Sequence, residues 1–462
     1  MNDERETVLI YAINRTEKWW RAVGDSLGSY RSFIVSDIRG KGDFCVVDDF
    51  YKSYRIFYRS LAEASHLLSK DTVSDIVARC RVLRFLPERR ARAMALAMAE
   101  AFAKVLDASK PSVIIAFPID RYVSDVLEHV GRARGIPFFE LTASALPGMA
   151  MLMQKGKLCK TADTPPQEIV DEYIEKVATP LFTPFYVQNL PSFNSVRFLK
   201  IFFYFRLRGL VFRLMSWIKR DPLNLHYVDA QSFLGHKPHL TDIRLLRMID
   251  ADWQDQLASY PREKRVFFGL QLFPEASIDY WIDDLQLIAH EDLLADAAKA
   301  FVERGYVVVV KDHPLQFGFR QAGLIERLKA LKNVIIVPYE VGGTDVLREC
   351  DLSFTCTGTL GLQAALLGGK SIVTENYYST PEDFIILPDR DAVASLPDRV
   401  AELANPTDLQ TRQRRIIANL LRGSFVCDFF SFQKFDEGKE GVRAASVGRQ
   451  LDDHLRNLGW RQ

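Results

Sequence analysis

Short apolar runs that end abruptly in charged or amide side chains alternate with helical periodicities over the first third of the chain. "TVLIYAI" (7–13) ends at Asn14 and Arg15, "RSFIVSDI" (31–38) ends in charge, and "FCVVDD" (44–49) ends in two aspartates. A helical pattern then fills 55–108, clearest in "ERRARAMALAMAEAFAKVLDA". "PSVIIAF" (111–117) passes through "PIDR" into the helical "YVSDVLEHVGRARG" and a further strand, "IPFFE" (136–140). Strand, helix, strand is a βαβ unit, which calls for a parallel sheet with helices on both faces.

From about 165 to 255 the alternation disappears, and it resumes at "PREKRVFFGLQLFPEAS" (261–277). The second series comprises a helix over 284–303, "GYVVVVKDHP" (305–314), a helix over 320–331, "NVIIVP" (333–338), "DLSFTCTGT" (351–359), a helix from about 360 and "SIVTE" (371–375). After about 390 the pattern is helical. Two separated βα series predict an α/β, GT-B-like architecture: two Rossmann-like domains facing a cleft, with a helical connector and a helical C-terminal tail. The boundaries fall at 1–165 for an acceptor-side domain, 166–255 for the connector, 256–395 for a nucleotide-sugar domain and 396–462 for the tail.

Composition narrows the class without naming a chemistry. The chain has 462 residues, 48% of them apolar, with 60 Lys plus Arg against 59 Asp plus Glu. Such a balance describes a folded globular chain and offers no global reason to bind nucleic acid. Six scattered cysteines without a CxxC, behind an acidic start that runs straight into a strand, predict reduced thiols and a cytoplasmic location. No uncharged apolar stretch is long enough to span a bilayer.

Chemistry concentrates where strands end. The run "VVVVKDHP" is apolar on both faces, so helices should cover it, and ligands in such sheets bind beyond the carboxyl ends of strands. Lys311 and His313 stand there, able to cradle a phosphate or stabilise one that departs with negative charge; the plainer alternative is a histidine bonded to its own loop. In "FTCTGTLGLQAALLGG", Thr357, Gly358 and Thr359 precede a helix, where free N–H groups, hydroxyls and the positive dipole end form an anion site or, more simply, an ordinary N-cap. Gln271 and Glu275 follow the opening strand of the second series, placed to contact a sugar or base, or to close a loop.

In the first series Asp120 and Arg121 end one strand and Glu140 another, so the two carboxylates are candidates for a general base or for stabilising positive charge at a sugar carbon. Both are equally suited to pair with Arg121. Asn14 and Arg15 join the acceptor side by position. His236 and His239 are spaced HxxH without a further ligand at useful distance, so no metal is expected.

The segment 197–220 mixes Arg206, Arg208, Arg213 and other cations with Phe, Leu and Trp217, and holds no Asp or Glu. At helical spacing this suits the surface of an anionic membrane, or a core helix whose Arg side chains snorkel.

Taken together, the motifs of the second series resemble the capsule polysaccharide biosynthesis family, which includes bacterial Kdo transferases. That family's Gln-x-x-Pro-Glu, Lys-Asp-His-Pro and hydroxyl–Gly–hydroxyl segments are matched in order by Gln271–Pro274–Glu275, Lys311–Pro314 and Thr357–Gly358–Thr359, running on to Gln363–Ala364. The passage "RARGIPFFELTASALPG" around Glu140 is similar to one in the same family. Coverage is about half the chain; Gln363 stands where Glu is commoner and Thr357 where Ser is commoner. Bacterial sialyltransferases share a similar His-Pro and paired-hydroxyl arrangement that binds CMP.

The resemblance implies a glycosyltransferase taking an acidic sugar, Kdo foremost, from a CMP-activated donor to a polysaccharide or glycolipid acceptor. Lys311, His313, Thr357, Gly358, Thr359, Gln271 and Glu275 would then be on the donor, and Glu140, Asp120 and His313 in catalysis. CMP-sugar is a co-substrate in this reading, with no metal cofactor and with peripheral contact to the inner membrane. A GT-B enzyme using a UDP- or GDP-sugar, a 2-epimerase and a non-catalytic capsule assembly protein are the alternatives.

Overall fold

A computed structural model describes residues 5–13, 15–179, 182, 192–223, 239–273, 275–400, 408–435 and 438–460. The chain divides into two compact units, one built from 1–164, 212–235 and 420–462, the other from 165–211 and 236–419. Each is a mostly parallel sheet covered by helices, so the GT-B-like composition of two Rossmann-like units is present.

The first unit's strands are β1 (Glu6–Ala12), β2 (Tyr30–Ser36), β3 (Phe44–Cys45), β4 (Val113–Ala116), β5 (Phe138–Ala143), β6 (Met149–Gln154), β7 (Lys157–Leu158) and β14 (Ser424–Val426). Their order is β14-β6-β5-β4-β1-β2-β3, with β7 on β6. The run β3-β2-β1-β4-β5 is parallel, whereas β6, β7 and β14 add antiparallel pairs. Two details depart from the pattern reading. "FCVVDD" is strand only over Phe44–Cys45, because Val47 opens a helix to Ser60 whose first turn holds Asp48 and Asp49, where carboxylates suit the dipole. The helical region 55–108 is three helices, Val47–Ser60, Lys70–Arg79 and Glu88–Ser109.

The tail is part of this unit. Besides β14 it supplies the helix Lys439–Asn457, which lies against the helix Glu17–Gly24 so closely that a Cβ on Gly448 would fall 2.3 Å from the Val23 carbonyl oxygen. Trp19 and Trp20 are fully buried beside Phe117, and Trp19 donates to Ser431 at 2.9 Å.

The second unit's strands are β8 (Arg265–Gly269), β9 (Val307–Lys311), β10 (Val334–Val337), β11 (Leu352–Phe354), β12 (Lys370–Val373) and β13 (Ile385–Ile386), all paired parallel. Their order, β10-β9-β8-β11-β12-β13, is the dinucleotide-fold order in which the strand succession reverses between β8 and β11. Both faces are apolar, as the "VVVV" run requires: Val308 and Val310 join one core with Phe268 and Phe354, Val307 and Val309 another with Phe267 and Trp253. No helix among the described residues is long and apolar enough to cross a membrane. All six cysteines are free thiols.

Candidate functional site

The β8–β11 switch point is where this fold gathers polar groups. Gln271 leaves β8 and meets Thr357 after β11 through two bonds: its Nε2 donates to the Thr357 hydroxyl at 2.8 Å, and the Thr357 amide donates to its Oε1 at 2.9 Å. Thr357 donates onward to Ser277 at 2.8 Å, and Gln271 also donates to Glu275 at 3.3 Å. Thr357 is therefore buried and committed to holding two loops together. The backbone groups at this turn without an intrahelical partner are the amides that open the helix Thr359–Leu366, at Thr359 and Leu360, while the Gly361 amide donates to the Gly358 carbonyl at 3.1 Å. Glycine at 358 is favoured, since a Cβ there would lie 2.7 Å from the Thr355 hydroxyl, itself buried with no hydrogen-bond partner among the described residues. Tyr378 ties this turn down by donating to the Gly358 carbonyl at 2.6 Å.

The adjacent strand β9 ends in Lys311, the first residue of the "KDHP" turn. Lys311 is buried, and its ammonium donates to the carbonyls of Asp312 and Tyr339 at 3.2 and 3.3 Å. Burial pushes it down to about 8, with Asp312 and Glu340 pulling the other way. Asp312 accepts from Arg320 through both carboxylate oxygens (3.1 and 2.7 Å), from the Tyr339 hydroxyl at 2.6 Å and from the His313 amide at 2.9 Å. Its role is to fold the turn. His313 accepts the Leu315 amide at Nδ1, which leaves Nε2 as the protonated, donating atom of the neutral ring. Burial lowers its proton affinity further, so the ring is neutral near pH 7.

Pattern reading missed the residues that pin these loops. Arg320, fully buried, donates to the Gln271 carbonyl at 3.1 Å as well as to Asp312, tying β8's loop to β9's. Gln316 does the same with a pair of bonds to the Phe273 backbone, 3.0 Å from its amide and 2.8 Å to its carbonyl. Pro274 lies outside the described residues. Glu275 caps the helix Ala276–Trp281 by position, and Gln363 donates to the Phe182 carbonyl at 3.2 Å.

In the first unit Asp120 and Arg121 follow β4 as read. Arg121 is buried and bonds Asp120 at 3.1 Å and Asp37 at 3.3 Å, and Asp37 also accepts the Tyr11 hydroxyl at 3.1 Å. Glu140 is not at a strand end: β5 continues to Ala143, and the carboxylate is fully enclosed, accepting the Ile119 amide at 2.8 Å. The strand reading stopped at Glu140 because a charge inside a central strand is rare; the loop after β4 folds over it. Burial raises its pKa to about 7. Arg15 is exposed in the turn after β1, and Asn14 lies outside the described residues.

A group without a sequence signal lies on the helix Tyr122–Ala133. Asp125, Glu128 and His129 have ligand-type atoms within 4.8 Å of one another, and the Lys155 ammonium lies 3.2 Å from both carboxylates, where a cation would otherwise sit. His239 caps a 3-10 turn with Asp242, and His236 is outside the described residues.

No family model matches the chain, and no curated protein is similar to it. Solved structures that resemble it include two from Thermosulfurimonas dismutans. One is titled KpsC, beta Kdo 2,4 transferase (14% identity, TM-score 0.34, covering 76% of this chain and 88% of that one). The other is titled KpsC, beta Kdo 2,7 transferase (10%, 0.36, 98% and 99%). A Methanocaldococcus jannaschii UDP-GlcNAc 2-epimerase in complex with UDP-GlcNAc and UDP is a third (13%, 0.28, 90% and 100%). Identity and TM-score are low in all three, so the functional reading rests on the residues.

Proposed function

We propose that this chain is a glycosyltransferase whose second unit binds a CMP-activated acidic sugar, Kdo foremost, and whose acceptor is a polysaccharide or glycolipid. The observation that carries it is the convergence at one switch point of the Gln271–Thr357 clasp, the amides opening the helix at Thr359 and the His313 turn of the next strand. The choice of CMP and Kdo comes from the resemblance of the three motifs.

In this reading the bond between the sugar's anomeric carbon and the phosphate oxygen breaks, and its electron pair leaves with CMP. The His313 Nε2–H and the helix N-terminus receive the departing charge, so the reaction requires no divalent ion. Lys311 stands behind them on two carbonyls and contributes field rather than contact. The acceptor hydroxyl forms the new bond as its proton passes to a base; on the first unit the candidate for that role is Asp120, whose side chain is 33% exposed and bonded to Arg121 at 3.1 Å, whereas Glu140 is enclosed and accepts the Ile119 amide.

The test is thermal stabilisation by CMP against UDP and GDP, followed by CMP release from CMP-Kdo in chelator. A shift with CMP, turnover that survives chelation and loss of at least about a hundredfold in kcat with His313→Ala are expected. Stabilisation by UDP alone, with UDP-GlcNAc turned over, overturns the donor assignment; unchanged glycan synthesis with His313→Ala overturns catalysis.

A further inference from the structure

The helix Ser195–Ile218 has two apolar faces on opposite sides. At about 100° per residue, Phe198, Ile201, Phe202, Phe205 and Phe212 gather on one side. Phe198 and Phe202 are buried there; Phe198 meets Phe317 edge-on, Phe205 meets Phe319 edge-on at 4.3 Å, and Ile201 fills the space over Gly318. Leu199, Phe203, Leu207, Leu210, Leu214 and Trp217 share the opposite side within an arc of about 80°. All six are exposed, from 37% at Leu199 to 76% at Trp217. Arg197 and Arg208 lie along one boundary between the faces, Arg206 and Arg213 along the other, and Lys219 and Arg220 follow at the end. No acidic residue occurs from 195 to 220. Arg39, paired with Asp48 at 2.9 Å, ties down that end by donating to the Lys219 and Arg220 carbonyls at 2.9 and 3.2 Å.

We propose that the outer face is a docking surface for an anionic lipid bilayer, the helix lying in the plane of the interface. Leu, Phe and Trp side chains enter the acyl boundary, and the flanking Arg side chains reach the headgroup phosphates. Charge decides the occupant. A second copy pairing through the same face would set two helices rich in Arg and Lys, with no Asp or Glu over 195–220, against each other, whereas anionic headgroups attract such a surface. A single-sided amphipathic helix would bury its one apolar face in the protein and leave a polar exterior; here, among the described residues, the second apolar face stays exposed. The inner face rests on Phe317–Phe319, immediately after the His313 turn, so a docked helix carries that segment to the lipid surface. The inference does not depend on which nucleotide the second unit takes.

The experiment is flotation of the full chain with phosphatidylcholine vesicles and with vesicles that also contain phosphatidylglycerol. Binding only to the anionic vesicles, weakening as salt rises, is expected. Leu207→Ser/Leu210→Ser/Trp217→Ser, all at exposed positions, should abolish flotation, and Arg206→Gln/Arg213→Gln should weaken it by roughly tenfold or more. Thermal melting of both variants should match the parent, which separates lost docking from lost folding. Failure to float with anionic vesicles overturns the proposal. So does equal flotation with neutral ones, or a dimer in size-exclusion chromatography that the serine variant dissolves without any vesicle binding.

Discussion

Asp312 shows how much one side chain of the "KDHP" turn carries. Its two oxygens take donors from Arg320, Tyr339 and the His313 amide, all inside the unit. Removing one partner of a buried ion pair leaves the other uncompensated, so Arg320→Met should cost about 3–5 kcal/mol in denaturant unfolding. Asp312→Asn, which keeps an acceptor oxygen, should cost less. A second prediction concerns Glu140. Burial raises its folded pKa to about 7, above the ordinary carboxyl value, so the folded state binds the extra proton. Its contribution is full below the unfolded pKa and is lost as pH rises through about 7, on the order of 3 kcal/mol for a shift of this size. Partly buried His129 and buried His290 and His454, lowered to about 4, 3 and 4, have the opposite sign and lose stability as pH falls below the ordinary histidine range. Comparison with Glu140→Gln isolates the first effect: the variant's stability relative to the parent should climb between pH 5 and 8. A flat difference would mean that Glu140 ionises normally. Lys311, His313, Gln271 and Thr357 were legible because an apolar run stops at them, which marks a strand end in any parallel sheet. Arg320 was not, since an isolated arginine reveals its partner only once the turn has folded back.

At the scale of elements, legibility followed hydrophobic continuity. The doubly covered β9 and β10 announce themselves as unbroken Val and Ile runs, and β8 and β11 by Phe-rich runs with polar ends. β6 and β14 did not: "MAMLMQ" reads as helix, because methionine, alanine and leucine are good helix formers, and "SFV" is too short to show a period. Their identity as strands comes from pairing, β14 with Met149–Met151 across the antiparallel edge. The pattern over 197–220 suits either a membrane surface or a core helix with snorkelling Arg side chains; two opposed apolar faces cancel along the sequence, and only packing separates them. The helix Thr359–Leu366 yields a third prediction. A Cβ on Gly361 would lie 2.7 Å from Val373 Cγ1 and 2.8 Å from the Tyr378 hydroxyl, so the helix can approach the sheet only with glycine there. Gly361→Ala should destabilise the second unit by about 1–3 kcal/mol through overpacking. It should also weaken nucleotide-induced thermal stabilisation, because the same shift moves the amides at Thr359. An alanine variant with parental melting would show that β12 and Tyr378 yield without cost.

For the whole molecule, the sequence order of segments and their membership of units differ. The last forty or so residues complete the sheet that starts at Glu6, so the first unit closes only after the second has been synthesised. The seam is specific. The Ser29 amide and hydroxyl both donate to Asp452, at 3.0 and 2.9 Å, and Gly448 passes the Val23 carbonyl with no room for a side chain. Gly448→Val must therefore push the helix Lys439–Asn457 away from backbone, which cannot move aside as a side chain would. The expected result is a loss of several kcal/mol confined to the first unit. Calorimetry should show its transition moving to lower temperature while that of the second unit stays in place. Limited proteolysis of the variant should cut within 1–164 and spare 236–419. A uniform shift of a single transition would instead mean that the two units unfold as one cooperative body, and that the tail stabilises the chain as a whole.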